Sequence, residues 1–343
     1  LKIEYQVSLA HSLLATAGLV CAAPHFEGLS DRLWELRTRV PADLLTELCL
    51  LITFPGGYQR FTSELIGHLP DGAAAMGYRD LLDHLQSIPG IHYQLLALRA
   101  LARGSSPRPP ASELAGLLDD PGAWAAFLAG VESEVPPETV GALVRDGEEL
   151  KRRLLAALSR FWQAAYADEF AATRPLMERS VAHQRAQPHN PVFHDTFVAI
   201  TGRLVPETIK DLLPGISRAT FVPSCYVGPY VAYSHYGQDL IVYYNCRSTP
   251  LGPDVAGETA LYPPLKALAD ETRLQILALL RGRELYAQEI VERLDISQPA
   301  VSRHLNLMAA AGVLKSRRDG NAKYYSLDGE TLARLADAIR ALV

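Results

Sequence analysis

Along the first 250 residues the apolar positions recur mostly at helical spacing. Leu44, Leu45, Leu48, Leu51 and Ile52 form one such run behind Pro41, a residue favoured in the first turn of a helix, and Pro55-Gly56-Gly57 stops it. Further helices are predicted from Leu9 to about Val20, over Tyr78–Gln86 and over Ile91–Ala102. Pro137–His183 reads as helix almost throughout: Leu150, Leu154, Leu155, Leu158, Phe161, Trp162 and Ala165 keep the spacing, and Pro175 divides or kinks the run. Ile3–Val7 alternates instead, like a short strand. From Ala219 the period again changes to two. Phe221-Val222-Pro223, Tyr230–Ser234 and Leu240–Asn245, parted by Gly228-Pro229 and Gly237-Gln238-Asp239, predict a small antiparallel meander.

After the Pro- and Gly-rich stretch Arg247–Gly257 the pattern is that of a separate module. Leu261, Leu265 and Leu268 mark a first helix, Glu271–Leu280 a second that Gly282 ends, and Tyr286–Leu294 a third. A tight turn at Asp295-Ile296 leads to a fourth, Ser297–Ala311, with Ser297 as N-cap and Pro299 tolerated in the first turn. Val313–Arg318 and Ala322–Leu327 flank Asp319-Gly320-Asn321, whose turn chemistry makes a hairpin. A last helix spans Glu330–Val343. The expectation is a mainly α N-terminal domain (1–250) ending in an antiparallel β-meander, a linker at 251–257, and an α+β winged helix-turn-helix at 258–343.

Length and charge sharpen this division. The 343 residues suit two domains, and 48% hydrophobic with 21% charged residues is a globular balance. The net charge of −5 argues against a protein that coats nucleic acid nonspecifically. The charge is uneven, however. Residues 258–343 hold twelve Lys/Arg against eleven Asp/Glu, whereas the remainder carries −6. Within Ser297–Lys323, Arg303, Lys315, Arg317, Arg318 and Lys323 face Asp319 alone, a focused basic patch on an acidic chain. Four cysteines, none in C-x-x-C spacing, make no disulfide framework. Leu9–Ala23 has a signal-like apolar content but is broken by His11 and reads better as a core helix. No apolar run nears the ~20 residues that span a bilayer, so a soluble, cytoplasmic protein without a membrane partner is expected.

On the fourth helix Val301, Leu305 and Met308 share one face. Gln298, Ser302, Arg303 and Asn306 lie on or near the other, with His304 beside them. An apolar back and a short polar front with arginine suit a major groove, the N-terminal amides from Ser297 meeting phosphate. Arg317, Arg318 and Lys323 on the hairpin would touch phosphates or a minor groove. Three segments, Leu265–Leu274, Leu294–Leu305 and Ala311-Gly312-Val313-Leu314, resemble the ArsR family of winged-helix repressors over the last quarter of the chain. That resemblance implies repression relieved by an inducer. It also implies a homodimer paired through the first and last helices, here through Leu261, Leu265, Leu332, Leu335, Ile339 and Leu342, on an inverted-repeat operator in double-stranded DNA.

The pattern departs from the family in its sensing residues. Many members hold metals through thiolates at the start of the third helix, but Glu284–Glu289 contains no cysteine, and no histidine follows His304 on the last helix. Neither a metal nor a cofactor is therefore expected. Sensing moves to the N-terminal domain, which resembles, more weakly, the uncharacterised extensions of longer members at Val7-Ser8-Leu9, Phe161-Trp162 and Val222-Pro223-Ser224. An organic effector against Tyr230, Tyr233 and Tyr243 is the expectation. Alternatives remain open: a redox or metal role for Cys225, His235 and Cys246 or for His183, His189, His194 and Asp195, or a catalytic N-terminal domain. No G-x-G-x-x-G, Walker, G-x-S-x-G or H-E-x-x-H motif supports an enzyme.

Overall fold

A computed structural model of the chain describes residues 1–53, 60–103, 109, 113–131, 135–187, 192–203, 205–246, 264–319 and 322–340. Its N-terminal part is built on helices α1 (Leu9–Ala22), α2 (Asp31–Arg39), α3 (Ala42–Thr53), α4 (Arg60–Ile66), α5 (Tyr78–Ser87) and α6 (Gly90–Ala102). Helices α7 (Pro121–Ala129), α8 (Pro137–Arg145), α9 (Gly147–Phe161) and α10 (Ala167–Ala186) follow. The apolar faces read in the sequence meet here: Leu13, Leu48, Leu101, Leu154 and Phe161 are buried in one cluster. Pro175 lies inside α10 and does not divide it. The breaks in Pro137–His183 fall at Asp146, whose side chain accepts the Glu149 amide as N-cap, and in a π turn over Trp162–Tyr166.

The sheet differs from the expected meander. It contains β1 (Lys2–Tyr5), β2 (Arg218–Ser224), β3 (Ala232–Tyr236) and β4 (Asp239–Asn245) in the order β1-β2-β4-β3. β1 and β4 both run parallel to β2, and only β3 pairs antiparallel, with β4. Alternation gives the two faces different partners. Val222 and Tyr243 join the helical core, whereas Phe221, Val242 and Tyr244 pack under α11 (Phe193–Thr201) and α12 (Glu207–Lys210).

The C-terminal module has its own core around Ile276, Ile290, Val301, Leu305, Met308 and Tyr325. It comprises α13 (264–268), α14 (Glu271–Leu279), α15 (Ala287–Leu294), α16 (Gln298–Ala310) and α17 (Gly329–Arg340). Strands β5 (Leu285–Tyr286), β6 (Leu314–Asp319) and β7 (Ala322–Leu327) form a sheet ordered β5-β7-β6. Asp319 pairs with Ala322 at the outer end of β6 and β7. The 251–257 linker, Leu261 and Leu342 lie outside the described residues.

Candidate nucleic-acid interface

α15 and α16 are joined at Asp295, which takes the left-handed conformation at φ 54° that lets the chain turn within two residues. Ser297 is the N-cap of α16, though its hydroxyl makes no capping bond. It is exposed with Gln298 and Pro299, so the first-turn amides open to solvent. Val301, Leu305 and Met308 anchor the helix in the core. Gln298, Ser302 and Asn306 follow one another at a spacing of four and form a polar stripe along it.

A second stripe of α16 meets the N-terminal domain. Arg303 Nε lies 3.6 Å from Glu27 Oε1, and His304 Nδ1 lies 3.5 Å from Glu27 Oε2. One turn on, Leu307 packs on Gly28: a Cβ there would come within 2.6 Å of Leu307 Cδ1, and φ +77° disfavours a side chain as well. Arg273 donates to Glu27 Oε2 at 3.2 Å and to the Ala267 carbonyl at 2.6 Å, tying α13 and α14 to the same carboxylate. The Glu27 loop is itself held from below. Tyr230 Oη donates to the Glu27 carbonyl at 2.7 Å, and its ring meets Phe26 edge-on. Gly228 approaches Gly28 too closely to carry a Cβ.

The wing is braced at its base. Arg317 donates to Glu284 at 2.8 Å and stacks 4.7 Å over the Tyr324 ring, while Lys323 lies 5.0 Å from the Tyr325 ring centroid. Backbone register sets Arg318 opposite Lys323. Both the stripe and the wing thus belong to one face-forming module, whereas Arg303 and His304 turn to Glu27. No local signal marked Glu27, because its partners lie some 250 residues away in sequence.

Of the residues read as a dimer interface, Leu335 is 6% exposed and Leu332 packs on the module's own core. Leu265 and Ile339 stay 40% and 41% exposed, and Leu274, not singled out in the sequence, 52%.

The three tyrosines do not share a pocket. Tyr243 is buried in the helical core, Tyr233 packs on the opposite sheet face and Tyr230 supports the Glu27 loop. Tyr233 pairs with Val242, so Tyr243 projects from the other sheet face. A cavity of about 320 Å³ lies instead between α4 and the sheet, lined among others by His11, Ser63, Arg218, Thr220, Ser234 and Asp239. His11 sits 2.7 Å from Ser8 Oγ, and burial pushes its pKa down to about 4.

His235 pairs with Leu240, at the far end of β4 from Cys246, so no Cys-His-Cys cluster forms. His189 lies outside the described residues. Among the described residues no group of three His, Cys, Asp or Glu could hold a metal, and no helix is long and apolar enough to cross a membrane.

Two antiparallel-braced strands beside a helix-turn-helix define a winged helix. The sequence comparisons agree with that class: residues 270–316 match the family described as bacterial regulatory protein, arsR family. The chain is 43% identical over 67 residues to the transcriptional repressor SdpR of Bacillus subtilis, covering 20% of this chain and 74% of the relative. It is 35% identical over 78 residues to the transcriptional activator HlyU of Vibrio cholerae, covering 23% and 72%. The solved structure of HlyU from Vibrio cholerae aligns at 34% identity with a TM-score of 0.22, over 26% of this chain and 97% of that one. The chain belongs to the arsR family of bacterial regulatory proteins.

Proposed function

We propose that this protein is a sequence-specific transcriptional repressor that binds an inverted-repeat operator as a homodimer and is not an enzyme. The observation that carries this reading is the exposed start of α16 with its Gln298, Ser302 and Asn306 stripe, next to the basic wing of Arg317, Arg318 and Lys323. Those side chains are of the kinds that read base edges and hold phosphates. Dimerisation rests on Leu265, Leu274 and Ile339, aliphatic residues left exposed on helices of the same module. Arg303 and His304 join the interface once Glu27 withdraws. A cytoplasmic location goes with this role.

The N-terminal domain serves as the regulator. An organic effector in the cavity beneath α4 would suit it, since about 320 Å³ is in the range of small-ligand sites and the lining is polar. Such an effector acts only if it binds the docked and released arrangements unequally.

Selection of duplexes from a random library by the full chain tests the reading. The expected product is an inverted repeat with half-sites about one turn, ~34 Å, apart. Arg303→Ala should then cost about 1–3 kcal/mol and relax specificity, while Lys323→Ala weakens all sequences alike. Recovery of unpaired half-sites, or no enrichment, overturns it.

A further inference from the structure

We propose that Cys225 and Cys246 form a dithiol site that a hydroperoxide converts to a disulfide, joining the ends of two parallel strands. This goes beyond DNA binding and stands independently of it. The argument begins with register. Ser224 of β2 is paired with Asn245 of β4, so the next residue on each strand, Cys225 and Cys246, falls opposite the other. Parallel neighbours bring Cα atoms within the span a disulfide bridges. The side chains complete the approach: the two Sγ atoms lie 2.9 Å apart, closer than unbonded sulfurs ordinarily rest.

Both residues are thiols in this structure and are buried, 1% and 0% exposed. Their close approach makes each the other's nearest candidate for a disulfide. The Arg32 guanidinium lies in electrostatic range of Cys225. The thiolate is the form that attacks an oxidant. Arg32 is held there by its ion pair with Glu169, which Tyr226 also contacts.

The chemistry balances with hydrogen peroxide as oxidant. The Cys225 thiolate attacks one peroxide oxygen, the O–O bond breaks, and hydroxide leaves to take up the thiol proton as water. Cys225 is then a sulfenic acid. The Cys246 sulfur attacks the Cys225 sulfur, the S–O bond breaks, and the Cys246 proton departs with the hydroxyl as a second water. Two thiols have lost two electrons in all, and one peroxide has become two waters. A dithiol reductant reverses the step by thiol–disulfide exchange. Closure clamps β2 to β4 at the point where Cys246 ends the described N-terminal domain. It also fixes the root of the segment whose Gly228 and Tyr230 carry the Glu27 loop.

Cys21 on α1 and Cys49 on α3 also meet, through a thiol hydrogen bond, and so serve as an internal comparison. The folded full chain would be treated with hydrogen peroxide, alkylated, digested without reduction and mapped by mass spectrometry. The expected result is a Cys225–Cys246 linked peptide lighter by two hydrogens, formed also in the Cys21→Ser/Cys49→Ser variant and lost after dithiothreitol. Cys246→Ser should leave Cys225 as a trappable sulfenic acid, read with a dimedone probe. Circular dichroism of each variant confirms that it is folded. Full alkylation of Cys225 and Cys246 after peroxide, or a linked peptide only from urea-unfolded protein, overturns the proposal.

Discussion

His11 illustrates what burial does to a single ionisable side chain. It lies within α1 at 5% exposure, beside Ser8 and at the edge of the α4 cavity. Burial disfavours its charged form and lowers its pKa from 6.5 to about 4. Above pH 6.5 both folded and unfolded chains hold it neutral, and it has no effect on the pH dependence. Between 6.5 and 4 the unfolded chain takes up the proton while the folded chain does not. Stability therefore falls as pH drops through that window, by roughly 3 kcal/mol in all. Urea unfolding of the wild type and of His11→Gln from pH 7.5 to 4 checks this. The variant's profile should be flatter by that amount, and parallel profiles would refute the assignment.

Individual elements explain why the winged helix was legible and the sheet was not. The module's turns are written in local chemistry: Asp295 at positive φ and Gly282 at φ +71°. β5 is two residues long, too short to alternate, and exists because Leu285 and Tyr286 pair with Tyr325 and Tyr324. In the N-terminal sheet, alternation located the strands but carries no information on direction. β1 and β2 are partners across more than 200 residues, and that pairing makes the sheet mixed. The residues expected at the dimer interface divide by exposure. Leu335 is already covered within the chain, so an aspartate there would damage the fold itself. Leu265→Asp with Ile339→Asp is the cleaner test. Burial of each at an interface would contribute roughly 1.5–3 kcal/mol, so the pair should yield folded monomers by sedimentation. An unchanged dimer would place the interface elsewhere.

For the whole molecule, the deciding contact is the Glu27 carboxylate, which faces Arg273, Arg303 and His304 together. Docked in this way, the N-terminal domain occupies the α16 stripe that carries Arg303, while Gln298 stays exposed. Glu27→Gln removes the charge and keeps the size, so it should loosen docking without disturbing either core. Operator affinity, measured by fluorescence anisotropy at low salt, should rise several-fold, with thermal stability little changed. Equal affinity in the variant would mean that the contact does not compete with DNA. The sequence hid this feature because an acid in a short loop between α1 and α2 has no periodic or motif signature. Only the fold brings it to α16.

On the proposed reading, Glu27 and the DNA duplex are rivals for the Arg303 guanidinium, and dissolved ions weaken both. Each phosphate a protein neutralises releases condensed counterions, which steepens the fall of affinity with salt by about 0.9 in log-log slope. Arg303 would then leave one acidic partner for another, so part of what salt takes from the duplex contact it also takes from the competing loop. A repressor that shields its DNA-reading helix with an acid in this way would buffer its DNA affinity against ionic strength, holding occupancy steadier than its inventory of basic contacts would dictate.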